Sequence, residues 1–243
     1  MDLSKGFISI EINPGVLYEH DDGNFSTLIS GFTKESTVLL PNEYTHFGIV
    51  VVGNVRLITP DRQRILEAGD FFSIVGKVTI ESDGVGIVNS AKNFIGLNVF
   101  GGPIEPEGRL RYIDGCTDTL LIPPIMKGDP CLNLLHFPEK ITQTPHTHPS
   151  VRTGVIYRGS GECIIPEENK VIPLITGHAF VIKTGTTHSF NTQEEFMDVI
   201  AFHPDSDVGM TDDDHPMINR TIIEGASAKF KKEIRTNEKL IRS

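Results

Sequence analysis

Short apolar runs punctuated by Gly, Pro, Asn and Asp recur along the chain at intervals of about eight to twelve residues, the rhythm of strands and tight turns. In the first half the runs are Phe7 to Ile12, Ser26 to Phe32, Thr37 to Leu40, Phe47 to Val52, Val55 to Ile58, Phe71 to Ile74, Val78 to Glu81, Gly86 to Val88 and Phe94 to Phe100. Gly101-Gly102-Pro103 and Pro106-Glu107-Gly108 then mark a boundary within residues 101–115. Beyond it the rhythm resumes at Thr119 to Ile122, Asn133 to Phe137, Thr144 to His148, Gly154 to Tyr157, Gly161 to Ile165, Val171 to Pro173, Ala179 to Ile182, His188 to Asn191 and Met197 to Phe202. Residues 204–220 form an acidic, proline-containing loop, and Phe230, Ile234, Leu240 and Ile241 recur at roughly helical spacing within Ala226 to Ile241. The pattern predicts an all-β fold of sandwich or barrel type. It divides into an N-terminal unit 1–105, a C-terminal unit 106–205 and a tail 206–243 of acidic loop and one helix.

Composition narrows the function classes. A formal net charge of −10 disfavours a non-specific grip on nucleic acid or anionic membrane, both of which need clustered Lys and Arg. The basic residues between Lys229 and Arg242 are interleaved with Glu233 and Glu238 and read as a solvated helix face. Cys116, Cys131 and Cys163 are odd in number and form no C-x-x-C pair, which suits buried thiols in a reducing compartment. No run approaches the ~20 apolar residues of a membrane span, and no apolar stretch opens the chain. The expectation is a soluble cytoplasmic protein.

The chemistry concentrates between Pro145 and Asn191. His146 and His148 lie two apart on a segment read as a strand, so their side chains point the same way. His188 follows the Gly185 turn and could reach them from a neighbouring strand. Asp212, Asp213, Asp214 and His215 read as a solvated loop, not a second cation site. The spacing resembles that of the cupins, whose barrels carry the motifs G-x5-H-x-H-x3-E-x6-G and G-x5-P-x-G-x2-H-x3-N. His146, His148 and Gly159 fall in register with the first motif, and Gly177, Gly185 and His188 with the second. Lys140 stands at the opening glycine, Arg152 at the glutamate, Lys183 at the proline and Thr192 at the asparagine, with Asn191 one place early. A fainter echo in the first half puts Gly53 and Gly69 at motif glycines and His46 at the glutamate, while Leu40, Asn42 and Ile80 occupy the histidine positions. The resemblance implies a bicupin over residues 10–203, with only the second barrel metal-binding. It also implies a homodimer, because cupins commonly pair through their barrels.

From the same resemblance follows a ligand set of His146, His148 and His188 for a divalent ion, Fe(II) foremost, with Zn, Mn or Ni as alternatives. Three protein ligands leave coordination positions open. Arg152 cannot ligate a cation. A guanidinium in place of a carboxylate raises the local charge by two units and favours an anionic substrate, clamped by Arg152. The pattern is similar to cupin dioxygenases for thiols, gentisate and β-diketones, so the expected function is an Fe(II) dioxygenase acting on a small aromatic, dicarbonyl or carboxylate anion. A metal-dependent isomerase, lyase or hydrolase, and a non-enzymatic small-molecule binder, are the alternatives. Strand alternation nominates His136, Tyr157 and His203 as further cavity-lining residues, against the plainer reading that each packs structurally. Cys163 reads as a small buried hydrophobe, since the crosslinking cysteine of the thiol dioxygenases takes the position Arg152 holds here.

Overall fold

The computed structural model describes residues 4–211 and 215–231. Antiparallel strands build two barrels. In the first, Val99–Gly101, Phe71–Val75, Tyr44–Val52, Val85–Lys92, Thr27–Phe32 and Gly15–His20 form one sheet in that order, and Ser36–Leu40, Val78–Ser82, Asn54–Ile58 and Gln63–Glu67 form a second. In the second barrel, Leu110–Arg111, Thr117–Ile122, Cys131–Phe137, Met197–His203 and Arg152–Ile165 lie side by side. His178–Ile182, Lys170–Ile175 and Ser189–Asn191 all pair with Arg152–Ile165. Gly15–His20 and Gln63–Glu67 have no counterpart in the apolar pattern, because their apolar runs, Val16 to Tyr18 and Ile65 to Leu66, are short and followed by polar residues.

One strand changes sides. Phe7–Glu11 pairs with His178–Ile182, from Phe7 opposite Ile182 to Glu11 opposite His178, and so completes the sheet of the second barrel. It crosses the boundary drawn at residue 105. Phe7 is fully buried and stacks on Phe180, with ring centroids 5.9 Å apart.

The runs expected at Gly154 to Tyr157 and Gly161 to Ile165 are a single strand, bulged between Ile156 and Arg158. Gly159 lies within it at φ +71°, where a Cβ would come 1.9 Å from Phe196 O. Gly53, its counterpart in the first barrel, has φ +74° and Asp83 O at 2.5 Å from the same position. Only glycine suits either place. The glycine spacing therefore persists in a barrel that holds none of the motif histidines.

Apolar side chains form three main clusters. Leu40, Leu57, Phe72 and Ile80 belong to the filling of the first barrel, and Phe137, Ile156, Phe180 and Phe190 to that of the second. Between the barrels, Phe47, Ile49, Leu132, Leu134, Ile200 and Phe202 make a seam, with the Phe47 and Phe202 rings 5.2 Å apart. Strands at the seam are apolar on both faces because one side meets a barrel interior and the other meets the second barrel.

The helix expected over Ala226 to Ile241 is not formed in its described part: Ala226–Ser227 pairs with Ile222–Ile223, and Ala228–Phe230 is one 3-10 turn. The rest of that stretch lies outside the described residues, as do Asp212 to Asp214. The α-helix among the described residues is Pro216–Arg220, with proline at the start of the helix, where its missing N–H is harmless. Among the described residues, no helix is long and apolar enough to cross a membrane. All three cysteines are free and buried.

Candidate metal centre

His146, His148 and His188 offer nitrogen atoms that all lie within 4.8 Å of one another. Their ring centroids are 4.6 to 5.1 Å apart. The segment Thr144 to His148, expected as a strand, makes only an isolated bridge, since Pro145 and Pro149 have no N–H to give a ladder. It is held instead by a reciprocal backbone pair, His146 N to His188 O at 2.9 Å and His188 N to His146 O at 3.0 Å. Gly185 N adds a bond to His148 O at 3.0 Å.

Two of the rings have their protons placed by the backbone. His146 Nδ1 lies 2.9 Å from Thr144 O, and His188 Nδ1 lies 2.9 Å from Thr186 O. A carbonyl only accepts, so each Nδ1 carries the proton and each Nε2 keeps its lone pair. Burial pushes His148 down to about 2, with Arg152 and the neighbouring histidines adding to the effect. Burial likewise pushes His188 down to about 4. Converging imidazoles, His148 and His188 kept neutral by burial and His146 and His188 with their protons held away from the cluster, fit a divalent transition-metal ion.

Arg152 is 8% exposed and lines the same cavity. Its Nη1 donates to Asp205 Oδ1 at 2.7 Å, to Val151 O at 3.2 Å and to Ser150 Oγ. Its Nε is buried with no hydrogen-bond partner. Asp205 corrects the expected charge: with a carboxylate beside the guanidinium, the site is more positive than a four-ligand site by one unit, not two. Nothing in the sequence pattern distinguishes Asp205 from its acidic loop neighbours.

His203 also lines the cavity, its ring 6.3 Å from that of His148, and burial with Arg152 pushes it down to about 3. His136 and Tyr157 lie elsewhere. His136 faces away from the barrel interior, with Nδ1 2.7 Å from Asp198 Oδ1, and Arg158 Nε donates to Asp198 Oδ2 at 2.6 Å. Tyr157 packs into the seam. The wall holds instead Tyr112 and Gln143, which no spacing signalled, and the apolar Leu135, Phe137, Phe180 and Phe190. The free space between these side chains is about 30 Å³, room for roughly two waters.

In sequence, no family model and no curated protein matches the chain. In fold it is similar to solved structures of low identity. A putative glyoxylate-induced protein from Pseudomonas aeruginosa aligns with a TM-score of 0.61 at 11% identity, over 86% of this chain and 92% of that one. A Cupin 2 conserved barrel domain protein from Leptotrichia buccalis gives 0.55 at 14% identity, over 83% and 90%. Salicylate 1,2-dioxygenase from Pseudoaminobacter salicylatoxidans gives 0.55 at 11% identity, over 74% and 68%. With two antiparallel barrels, matching glycines in both and a three-histidine cluster in one, the chain has the cupin fold in a two-barrel form.

Proposed function

We propose that the protein is a metal-dependent cupin enzyme, a non-haem Fe(II) dioxygenase acting on a small organic anion. The observation that carries this reading is one cavity lined by both the three-histidine cluster and a buried arginine whose Nε has no hydrogen-bond partner. An unmet buried donor costs about 1–3 kcal/mol, a cost that a bound oxyanion would recover. Asp205 and Ser150 hold the guanidinium by Nη1, so Nε–H stays fixed as a donor. His146, His148 and His188 would hold the ion. Fe(II) there supplies the one-electron chemistry through which dioxygen reacts with an organic substrate.

The remaining wall acts by exclusion and position. Leu135, Phe137, Phe180 and Phe190 keep water away, which strengthens the attraction between Arg152 and an anion. His203, neutral in this setting, offers a hydrogen-bond partner to a substrate hydroxyl. The small free volume favours a compact acid. Likeness of fold to a dioxygenase named for salicylate, an aromatic carboxylate, agrees with an anionic class. Oxygen uptake by iron-loaded protein across small carboxylates, phenols and diketones tests the reading, with uptake expected for at least one acid. Turnover that continues without dioxygen would overturn it in favour of a Zn, Mn or Ni isomerase, lyase or hydrolase on the same ligands.

A further inference from the structure

The loop that delivers His188 is fastened from outside its own barrel segment. Lys183 N donates to Gly6 O at 2.9 Å, and Thr186 Oγ1 reaches the same carbonyl at 3.3 Å. Thr187 Oγ1 donates to Glu167 Oε1 at 2.8 Å. The next residue, Glu168, takes hold of the N-terminal arm: Oε1 accepts from Ser4 Oγ at 2.9 Å, Lys5 N at 2.9 Å and Gly6 N at 3.1 Å, and Oε2 lies 3.1 Å from Lys5 N. Ser4 Oγ in turn accepts from Gly6 N and Phe7 N at 3.1 and 3.0 Å. The arm packs so closely that a Cβ at Gly6 would lie 2.4 Å from Thr186 Cγ2.

The bonds to Thr186 and Thr187 end within two residues of His188. Thr186 O orients the His188 ring, and Gly185 N holds His148 O. We infer that Ser4 to Gly6 and Glu168 are positioning residues of the metal centre: docking of the arm fixes the 183–188 loop, and the docked loop sets metal affinity. The inference rests on the reading of the histidine cluster as a metal site. Because coupling between two equilibria is reciprocal, metal binding must in turn tighten the arm. Groups that orient metal ligands commonly change affinity by 10–100-fold when removed, and the arm acts one contact further out, through Thr186.

The test uses the full chain and Co(II) or Zn(II) alone, with affinity read by chelator competition and coordination by the Co(II) absorption spectrum. Gly6→Ala and Glu168→Ala are expected to weaken binding by up to about tenfold and to alter the Co(II) spectrum. Adding Thr186→Ala to Gly6→Ala removes the two closest contacts and leaves one of 3.1 Å to Cβ, so it should move affinity back towards the original value. Hydrogen exchange in a peptide covering the arm should slow when Zn(II) is added. Unchanged affinity in folded Gly6→Ala and Glu168→Ala, with arm exchange indifferent to metal, would overturn the inference while leaving the metal centre intact. If the unaltered chain binds no better than His188→Ala, the metal reading fails and the inference falls with it. Should Gly6→Ala not fold, Glu168→Ala and Glu168→Gln decide the matter.

Discussion

The two barrels share an architecture and differ in what fills them. Where the second places His146, His148 and His188, the first places Leu40, Asn42 and Ile80, and Leu40 and Ile80 are buried in an apolar interior. The contrast is sharpest one turn of the motif later. His46 and Arg152 stand at equivalent distances before Gly53 and Gly159, and both are buried. His46 meets Ser90 Oγ at 2.7 Å and Pro41 O at 2.9 Å, so both ring nitrogens are satisfied. Arg152 keeps one donor without a partner. A satisfied buried polar group adds to the stability of the fold, whereas an unsatisfied one is a cost that a bound ligand can relieve.

The largest expected effect separates the barrels by metal. His146→Ala or His188→Ala should take the chain from about one bound divalent ion to background by elemental analysis, while Leu40→Ala leaves the content unchanged. Stoichiometric metal in both histidine variants would erase the distinction. Stability should divide the other way: Leu40→Ala or Ile80→Ala costs about 2–5 kcal/mol through the cavity it opens, measured by urea unfolding. Arg152→Met should leave folding measurable but weaken binding of small carboxylates by roughly ten- to a hundredfold, the worth of a charged hydrogen bond, read by calorimetry on metal-loaded protein. His46→Gln should leave that affinity unmoved.

The smallest effect is in pH. His148, His188 and His203 are neutral in the fold, with values pushed to about 2, 4 and 3, but titrate near 6.5 in the unfolded chain. Below about 6.5 the unfolded chain therefore binds more protons, and stability falls with acidification. Above that value these groups contribute no slope. Melting of metal-free protein should drop between pH 6.5 and 4.5 and stay level from 7 to 8. A melting temperature that rises on acidification would contradict the burial of these rings.

What the sequence makes legible follows from short-range geometry. Gly159 and Gly53 are forced by positive φ and by a carbonyl within van der Waals reach, so their spacing is readable in a single chain. The histidine pair is readable because i and i+2 share a face even where Pro145 and Pro149 prevent a regular ladder. The phase of alternation is not readable at the seam: Leu132 and Leu134 face the other barrel while Leu135 and Phe137 face the cavity, and both sets are apolar. That is why His136 and Tyr157 cannot be assigned a side from their neighbours. Asp205 finds its partner across 53 positions and Phe7–Glu11 across 167 to 175, and no local periodicity encodes a pairing at that range.

The exchange of Phe7–Glu11 into the second barrel also has a cost in time. On the ribosome this strand emerges long before His178–Ile182, and at 5–20 residues per second the wait is on the order of ten to thirty seconds. During that interval Phe7, Ile8 and Ile10 form a β-prone segment without a partner strand. Synthesis rate and chaperone supply should therefore govern the yield of folded chain more strongly than its final stability does, and slowing translation late in the message should lengthen the exposure of its beginning.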